Sequence, residues 1–316
     1  MSLRTIDLSR GPDAVGPALD EICRDVGFVR VGGHGIDVDL RRAVMGACAA
    51  LFALPDDLKR SATSTALNRG YAPIAEEHLG TTLDDDRVER SGAVPDLYES
   101  FTTGDPTSED VTWPVQPTDF ARLWQAWWAE MSRVGTALLE CCAVALGLPA
   151  SWFEPSFRRP LTVMRAIHYP PTTSPGGPGQ MRAGAHTDYG TMTVLQTDDV
   201  PGLEVHRDGR WEPVEPIPDL LVVNVGDLLA RWTNDRWRST LHRVVPVPDA
   251  DGPGLLGRQS IAWFQQPDHD AVVACLPTCT SADDPPRYAP TTSGRHYDDK
   301  IARQYATPPE RASSRQ

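Results

Sequence analysis

Beyond residue 160 the chain becomes a succession of short β-prone runs: LTVMRAIHY, TMTVLQ, GLEVH, LLVVNV, STLHRVV and SIAWFQ. Between them lie PPTTSPGGPG, RDGR, NDR and DADGPGLLG, segments dense in Gly, Pro, Asn and Asp. Those residues supply the backbone angles of tight turns, so the runs read as strands rather than as pieces of helix. Several short strands with turn chemistry between them indicate an antiparallel barrel or a double-sheet jelly roll.

Helices stand in front of them. From Pro117 to Leu148, Phe120, Leu123, Trp127, Met131, Val134, Leu138 and Cys142 step by three or four, a broad stripe suited to packing on a sheet, and Gly147 and Pro149 end it. The aromatic residues of this stripe are read as core. Val15, Leu19, Ile22, Cys23 and Val26 predict an earlier helix that leads into a strand at Phe28, Val29 and Val31. A second helix is expected from Asp39 to Leu54, stopped by Pro55, and a short one in GRHYDDKIARQYA. Gly32, Gly33 and Gly35 around His34 make a tight turn, since neither the GxGxxG spacing nor a P-loop Lys is present. Residues 56–112 hold short apolar runs and the acidic cluster Asp84, Asp85 and Asp86; an excursion of that length is expected to form a wall or lid of a pocket.

The expected fold is therefore mainly β with flanking α: a double-stranded β-helix (jelly roll) core, a helical N-terminal portion and a long supporting helix. Residues 1–116 are expected to form the N-terminal region, 117–305 the support helix and jelly-roll core, and 306–316 a polar tail expected to be disordered.

Of the residues, 40% are hydrophobic and 23% charged, enough apolar surface for a substantial core. The net charge of −13 opposes a grip on nucleic-acid phosphates and suits a small-molecule substrate. No run approaches the roughly 18 apolar residues of a membrane span, and MSLRTIDLSRGPD lacks a signal-peptide core, so a cytoplasmic protein with its six cysteines reduced is expected. Cys275 and Cys279 lie four apart, but no second pair at zinc spacing accompanies them.

Chemistry concentrates in HTDYGTMTVL. His186 and Asp188 stand two apart and on a strand would share a face. A lone HxD is often a surface hydrogen-bonded pair. Here it follows a Gly/Pro-rich loop and precedes His242 on another predicted strand, where Thr240, His242 and Val244 share a face. Two imidazoles and one carboxylate that leave adjacent coordination positions open are the ligand set of a non-haem Fe(II) centre. His34, His78, His206, His269 and His296 sit in turns or polar surroundings and read as solvated or locally bonded.

The order His186-Thr187-Asp188, 53 intervening residues, His242-Arg243-Val244, then Arg258-Gln259-Ser260 resembles the isopenicillin N synthase-like branch of the Fe(II)/2-oxoglutarate-dependent dioxygenases. IDLS, CRDVGFVRVGGHGI, FALPDDLK, RGYAP and DLYESF resemble that family's N-terminal region, and YPP, GLEV, VVNVGD and RQSIAWF its barrel, so the likeness runs from Ile6 to about residue 305. It implies that His186, Asp188 and His242 bind Fe(II). It also implies that Arg258 forms a salt bridge with the distal carboxylate of 2-oxoglutarate, with Ser260 and Tyr169 bonding the same group. Many members carry Asn two residues before that tyrosine; here the position is Ile167.

The implied reaction consumes O2 and 2-oxoglutarate, releases succinate and CO2, and oxidises a substrate C–H bond, by hydroxylation or by desaturation, ring closure or epoxidation, as in natural-product tailoring. By the family's arrangement the substrate approach is bordered by Arg69, Tyr71, Glu99, Phe101, Arg182 and Phe264, with Arg69 or Arg182 placed to pair a substrate carboxylate and Trp232 as an apolar wall. Two other readings stay open on the residues: an iron oxidase that needs no 2-oxoglutarate, as isopenicillin N synthase is, and a non-catalytic ligand-binding jelly roll.

Overall fold

A computed structural model describes residues 3–66, 68–74, 96–173 and 180–304. The acidic cluster at Asp84, Asp85 and Asp86, His78 and the tail at 306–316 lie outside the described residues.

The chain begins with β1 (Thr5–Asp7), α1 (Pro12–Asp25), β2 (Phe28–Gly32), α2 (Val38–Phe52), α3 (Asp56–Arg60), β3 (Gly70–Ala72) and β4 (Glu99–Thr103). Local chemistry sets the boundaries. Pro12, whose fixed φ suits a first helical turn, opens α1. The Asp37 carboxylate accepts from the backbone N–H groups of Asp39 and Leu40 to open α2. The long α4 follows (Phe120–Ala145), and its apolar stripe is buried as its periodicity predicts. One side of it packs on α1 and α2. The other meets the sheet, where the Trp128 indole stands edge-on to Trp263 at 4.4 Å and Trp124 Nε1 donates to Thr103 Oγ1.

The β-rich half supplies β5 (Val163–Tyr169), β6 (Ala183–His186), β7 (Met192–Thr197), β8 (Leu203–Arg207), β9 (Arg210–Pro213) and β10 (Leu221–Val225). After them come α5 (Asp227–Trp232), β11 (His242–Val244), β12 (Arg258–Gln265), the short pair β13 (Val272–Val273) and β14 (Thr291–Thr292), and α6 (Ser293–Gln304). An eight-stranded sheet in the order β1-β2-β10-β7-β12-β5-β4-β3 faces a four-stranded sheet in the order β6-β11-β8-β9. This is the jelly roll expected from the spacing of turns, with a cavity between its sheets.

The two halves of the chain share the larger sheet. β2 pairs antiparallel with β10, and β4 with β5, so four strands from the first 116 residues extend the ladder at both edges. The DADGPGLLG segment is the hairpin tip its composition predicts, closed by a bridge between Pro248 and Leu255.

One local expectation is corrected. His186 closes β6, whereas Asp188 lies in the connection to β7, so the two are not on one strand face. Between them the chain leaves the smaller sheet for the larger, and backbone packing fixes the crossing. Asp227 N–H donates to Asp188 O, Leu228 N–H to Gly190 O, and a Cβ on Gly226 would stand 2.3 Å from Gly190 O. Only glycine permits that approach.

Candidate metal and co-substrate site

His186 and His242 are cross-strand partners in the β6–β11 register, which brings their ring centroids to 4.3 Å. Each ring is turned by a backbone carbonyl: His186 Nδ1 donates to Gly184 O at 2.7 Å and His242 Nδ1 to Thr240 O at 3.1 Å. The bonds assign the proton to Nδ1 and leave both Nε2 lone pairs toward the cavity. Asp188 Oδ1 lies 3.8 Å from each Nε2. Its other oxygen, Oδ2, accepts from Thr193 Oγ1 at 2.5 Å and Asn224 Nδ2 at 2.7 Å. Thr193 and Asn224 are themselves a cross-strand pair of β7 and β10. The smaller sheet thus presents the imidazoles, while the larger holds the carboxylate that lies between the sheets.

Electrostatics follow. Burial, reinforced by His242, pushes the His186 imidazole down to about 4, so at neutral pH it is an uncharged ring. Burial alone would raise the Asp188 carboxyl. The neighbouring imidazoles and the bonds from Asn224 and Thr193 outweigh it and keep the group below the ordinary carboxylate range. Among the described residues this is the cluster of three or more His, Cys, Asp or Glu able to hold a metal ion, its donor atoms all within 4.8 Å of one another. Two imidazole nitrogens and one anionic oxygen suit divalent iron.

On the wall of the cavity, β12 and β5 run in a register that sets Arg258 opposite Tyr169 and Ser260 opposite Ile167. Arg258 is 5% exposed, its Cζ stands 5.3 Å from the Tyr169 ring centroid, and Nη1 lies 3.4 Å from Ser260 Oγ. Its Nε is buried with no hydrogen-bond partner among the described residues. A buried cation in that condition calls for an anionic ligand. Burial also raises the Tyr169 phenol above its ordinary value, so it stays protonated and able to donate.

The cavity encloses about 990 Å³, its open mouth included, and both sheets line it. Alternate residues of β5 (Val163, Arg165, Ile167, Tyr169) and of β12 (Arg258, Ser260, Ala262, Phe264) face it, and Tyr297 and Ile301 of α6 close one side.

Of the residues expected along the substrate approach, Phe264 lines this cavity and the others are placed elsewhere. Arg182 is buried, donating to Pro170 O and Leu256 O, where it ties β6 to the end of β5. Trp232 is 4% exposed and packs on Phe153 behind the sheet. Arg69 donates to the backbone carbonyl of its neighbour Asn68. Phe101 stacks among Trp113, Phe120 and Trp124, and Tyr71 donates to Glu99, both on the helix-covered face. The alternation of β4 sends its even-numbered residues toward the barrel instead, and Tyr98, just before the strand, lines the cavity with Asn68. Tyr297 and Ile301 share one helix face, but that spacing does not say where α6 docks. Arg165 carried a signal that could have found it, standing two and four residues before Ile167 and Tyr169.

The comparisons with known proteins agree with this geometry. Residues 160–267 match the model of the 2OG-Fe(II) oxygenase superfamily, and residues 3–126 that of the non-haem dioxygenase N-terminal region. The 2-oxoglutarate-Fe(II) type oxidoreductase hxnY of Emericella nidulans is 30% identical over 86% of this chain and 79% of that protein. The chain belongs to the 2-oxoglutarate–Fe(II) oxygenases. It is 33% identical to the proline hydroxylase buaE of Petromyces alliaceus, over 83% of this chain and 84% of that one. The full-length Neurospora crassa protein solved with alpha-ketoglutarate and thymine superposes with a TM-score of 0.85 and 30% identity, covering 95% of this chain and 96% of that one. As a member of the family this oxygenase takes Fe(II), 2-oxoglutarate and O2. No described helix is long and apolar enough to cross a membrane.

Proposed function

We propose that this oxygenase hydroxylates a C–H bond of a small molecule, with His186, Asp188 and His242 holding the iron and Arg258, Ser260 and Tyr169 receiving the distal carboxylate of 2-oxoglutarate. The observation that carries the assignment is the convergence of three donor atoms beside a buried arginine whose Nε has no partner. The bound iron and co-substrate together supply the oxidation of the C–H bond and release succinate and CO2. The chain's own residues orient and exclude. Gly184 O and Thr240 O fix the imidazole tautomers, Asn224 and Thr193 fix the carboxylate, and the walls at Ile167, Leu195 and Phe264 keep the site dry. The named hydroxylase among the relatives and the thymine-bound neighbour support a small-molecule substrate and a hydroxylation outcome.

The test is an anaerobic titration with Fe(II) and 2-oxoglutarate, followed by oxygen exposure with candidate substrates while succinate is measured. An iron-dependent charge-transfer band and succinate are expected, and both are lost in Asp188→Ala. No band and no succinate from the unaltered protein, or full turnover in Asp188→Ala, would sink the reading. Oxygen uptake that needs substrate but no 2-oxoglutarate would mark an oxidase instead.

A further inference from the structure

Asp227 opens α5, and the segments that carry the three metal ligands meet on it. Its backbone N–H donates to Asp188 O at 2.8 Å. Its carboxylate Oδ2 accepts from Thr187 Oγ1 at 3.2 Å, and Thr187 stands between His186 and Asp188 in the chain. The other oxygen, Oδ1, accepts from Ser239 Oγ at 2.7 Å. Ser239 precedes Thr240, whose carbonyl accepts from His242 Nδ1 and turns that ring. One side chain that is not among the converging donors thus braces the connection bearing Asp188 and the segment entering β11.

The same carboxylate reaches α6. Lys300 Nζ lies 3.1 Å from Oδ2, the oxygen that Thr187 also bonds, and the side chains of Lys300 and Asp227 are 14% and 17% exposed. A pair so sheltered is screened less than one on the open surface. The Lys300 ammonium also stands 5.9 Å from the ring centroid of Tyr189, the residue after Asp188. Tyr297, Lys300 and Ile301 are spaced by three and four along α6, so they share a face, and Tyr297 and Ile301 line the cavity. The helix that closes one side of the cavity therefore leans on the carboxylate that braces the metal ligands.

We infer that Asp227 is a positioning residue for the iron site and the point through which α6 acts on it. With Lys300 seated on its carboxylate, Thr187 and Ser239 are held where His186, Asp188 and His242 converge. The inference rests on the reading of the metal site given above and adds a residue remote from the ligands, Lys300, that governs the hold on iron. Coupling of this kind is reciprocal, so a substrate that packs against Tyr297 and Ile301 and seats α6 also tightens the metal site.

The test is a double-mutant cycle on the full chain, read by anaerobic Fe(II) titration and by the position of the charge-transfer band with 2-oxoglutarate added. Lys300→Met removes the ammonium and keeps the stem, and it should weaken Fe(II) binding by about three- to fivefold, the scale of a sheltered ion pair. Lys300→Arg, which keeps the charge, should recover most of that loss. Asp227→Asn should weaken binding by about ten- to a hundredfold and shift the band. The double variant should bind no more weakly than Asp227→Asn alone, because the two residues act through one contact. Urea unfolding separates this from a role in folding only: a lowered midpoint with unchanged iron affinity and an unmoved band would overturn the inference. Unchanged affinity in Lys300→Met, or losses that multiply in the double variant, would overturn it as well. If Asp227→Asn does not fold, Lys300→Met against Lys300→Arg decides alone. An unaltered protein that binds no Fe(II) would instead defeat the proposed function, so the two failures are told apart.

Discussion

Thr193 and Asn224 face each other across β7 and β10, and both donate to the same oxygen of Asp188. The carboxylate is thereby turned so that Oδ1 alone faces the imidazoles. Asn224→Ala removes one of these donors without touching a metal ligand. Outer partners of this kind affect metal affinity by about ten- to a hundredfold. Anaerobic Fe(II) titration of Asn224→Ala should show a loss in that range, and an unchanged affinity would mean that Thr193 suffices.

Arg258 should govern the co-substrate separately from the metal. In Arg258→Ala a charge-assisted contact of about 1.5–3 kcal/mol is lost. The 2-oxoglutarate dissociation constant should therefore rise by roughly ten- to a hundredfold. Iron affinity measured without co-substrate should stay near that of the unaltered protein. A fall in iron affinity as large as the loss of 2-oxoglutarate would show that the two subsites are not independent.

On the opposite face of β4, Glu99 gathers three donors: Lys59 Nζ at 2.8 Å, Tyr71 OH at 2.6 Å and His168 Nδ1 at 2.8 Å. Burial would raise its carboxyl, but the bonds from His168, Lys59 and Tyr71 outweigh burial and lower it. A carboxyl lowered on folding stabilises the protein fully above its unfolded value of about 4.3, and that contribution disappears as pH falls through the folded value. The Lys59 ammonium is raised on folding: burial opposes the shift and the bonds to Glu99 and Asp56 reverse it. Its contribution is full below about pH 10.4 and fades above. Glu99→Ala should cost about 3–5 kcal/mol at neutral pH, as breaking a buried pair does. In urea unfolding the gap from the unaltered protein should narrow as pH drops below about 4; a gap that does not change with pH would refute the assignment.

Two glycine substitutions should have opposite effects. A Cβ at Gly226 meets the backbone of Gly190 at 2.3 Å, so Gly226→Ala must push apart the connection that carries Asp188, at a cost of about 1–3 kcal/mol. At Gly46, in α2, a Cβ would meet nothing within 4 Å, and Gly46→Ala should stabilise by about 0.4–1 kcal/mol. Chemical denaturation of both variants checks the pair, and equal effects would contradict the packing described.

What could be read in advance divides along physical lines. The strands, the turns between them and α4 were visible because each has a periodicity tied to one buried face. The metal cluster was visible because ligand chemistry restricts residue types, and His186 and His242 lie in runs that must pair. The substrate wall was not. In DLYESFTT both faces of β4 are buried, so its alternation carries no polar side to mark solvent, and a one-residue choice sends Phe101 to the helices and Tyr98 to the cavity. Glu99 misled in the same way, since a carboxylate in a strand suggests an open face until its partners are known. Tyr297 and Ile301 were hidden for another reason: their place depends on where α6 docks, which is decided by contacts such as Lys300 Nζ to Asp227 Oδ2 at 3.1 Å, far away in sequence.

The shared eight-stranded sheet also limits how this enzyme can be recombined. Exchanging its first 116 residues for those of a relative would break two hydrogen-bonded seams at once, β2 against β10 and β4 against β5. Each seam left imperfect would expose a strand edge ready to pair with another molecule. Chimeras joined at the boundary between the two halves should therefore tend to aggregate, and grafts confined to the side chains facing the cavity offer the safer route to a new specificity.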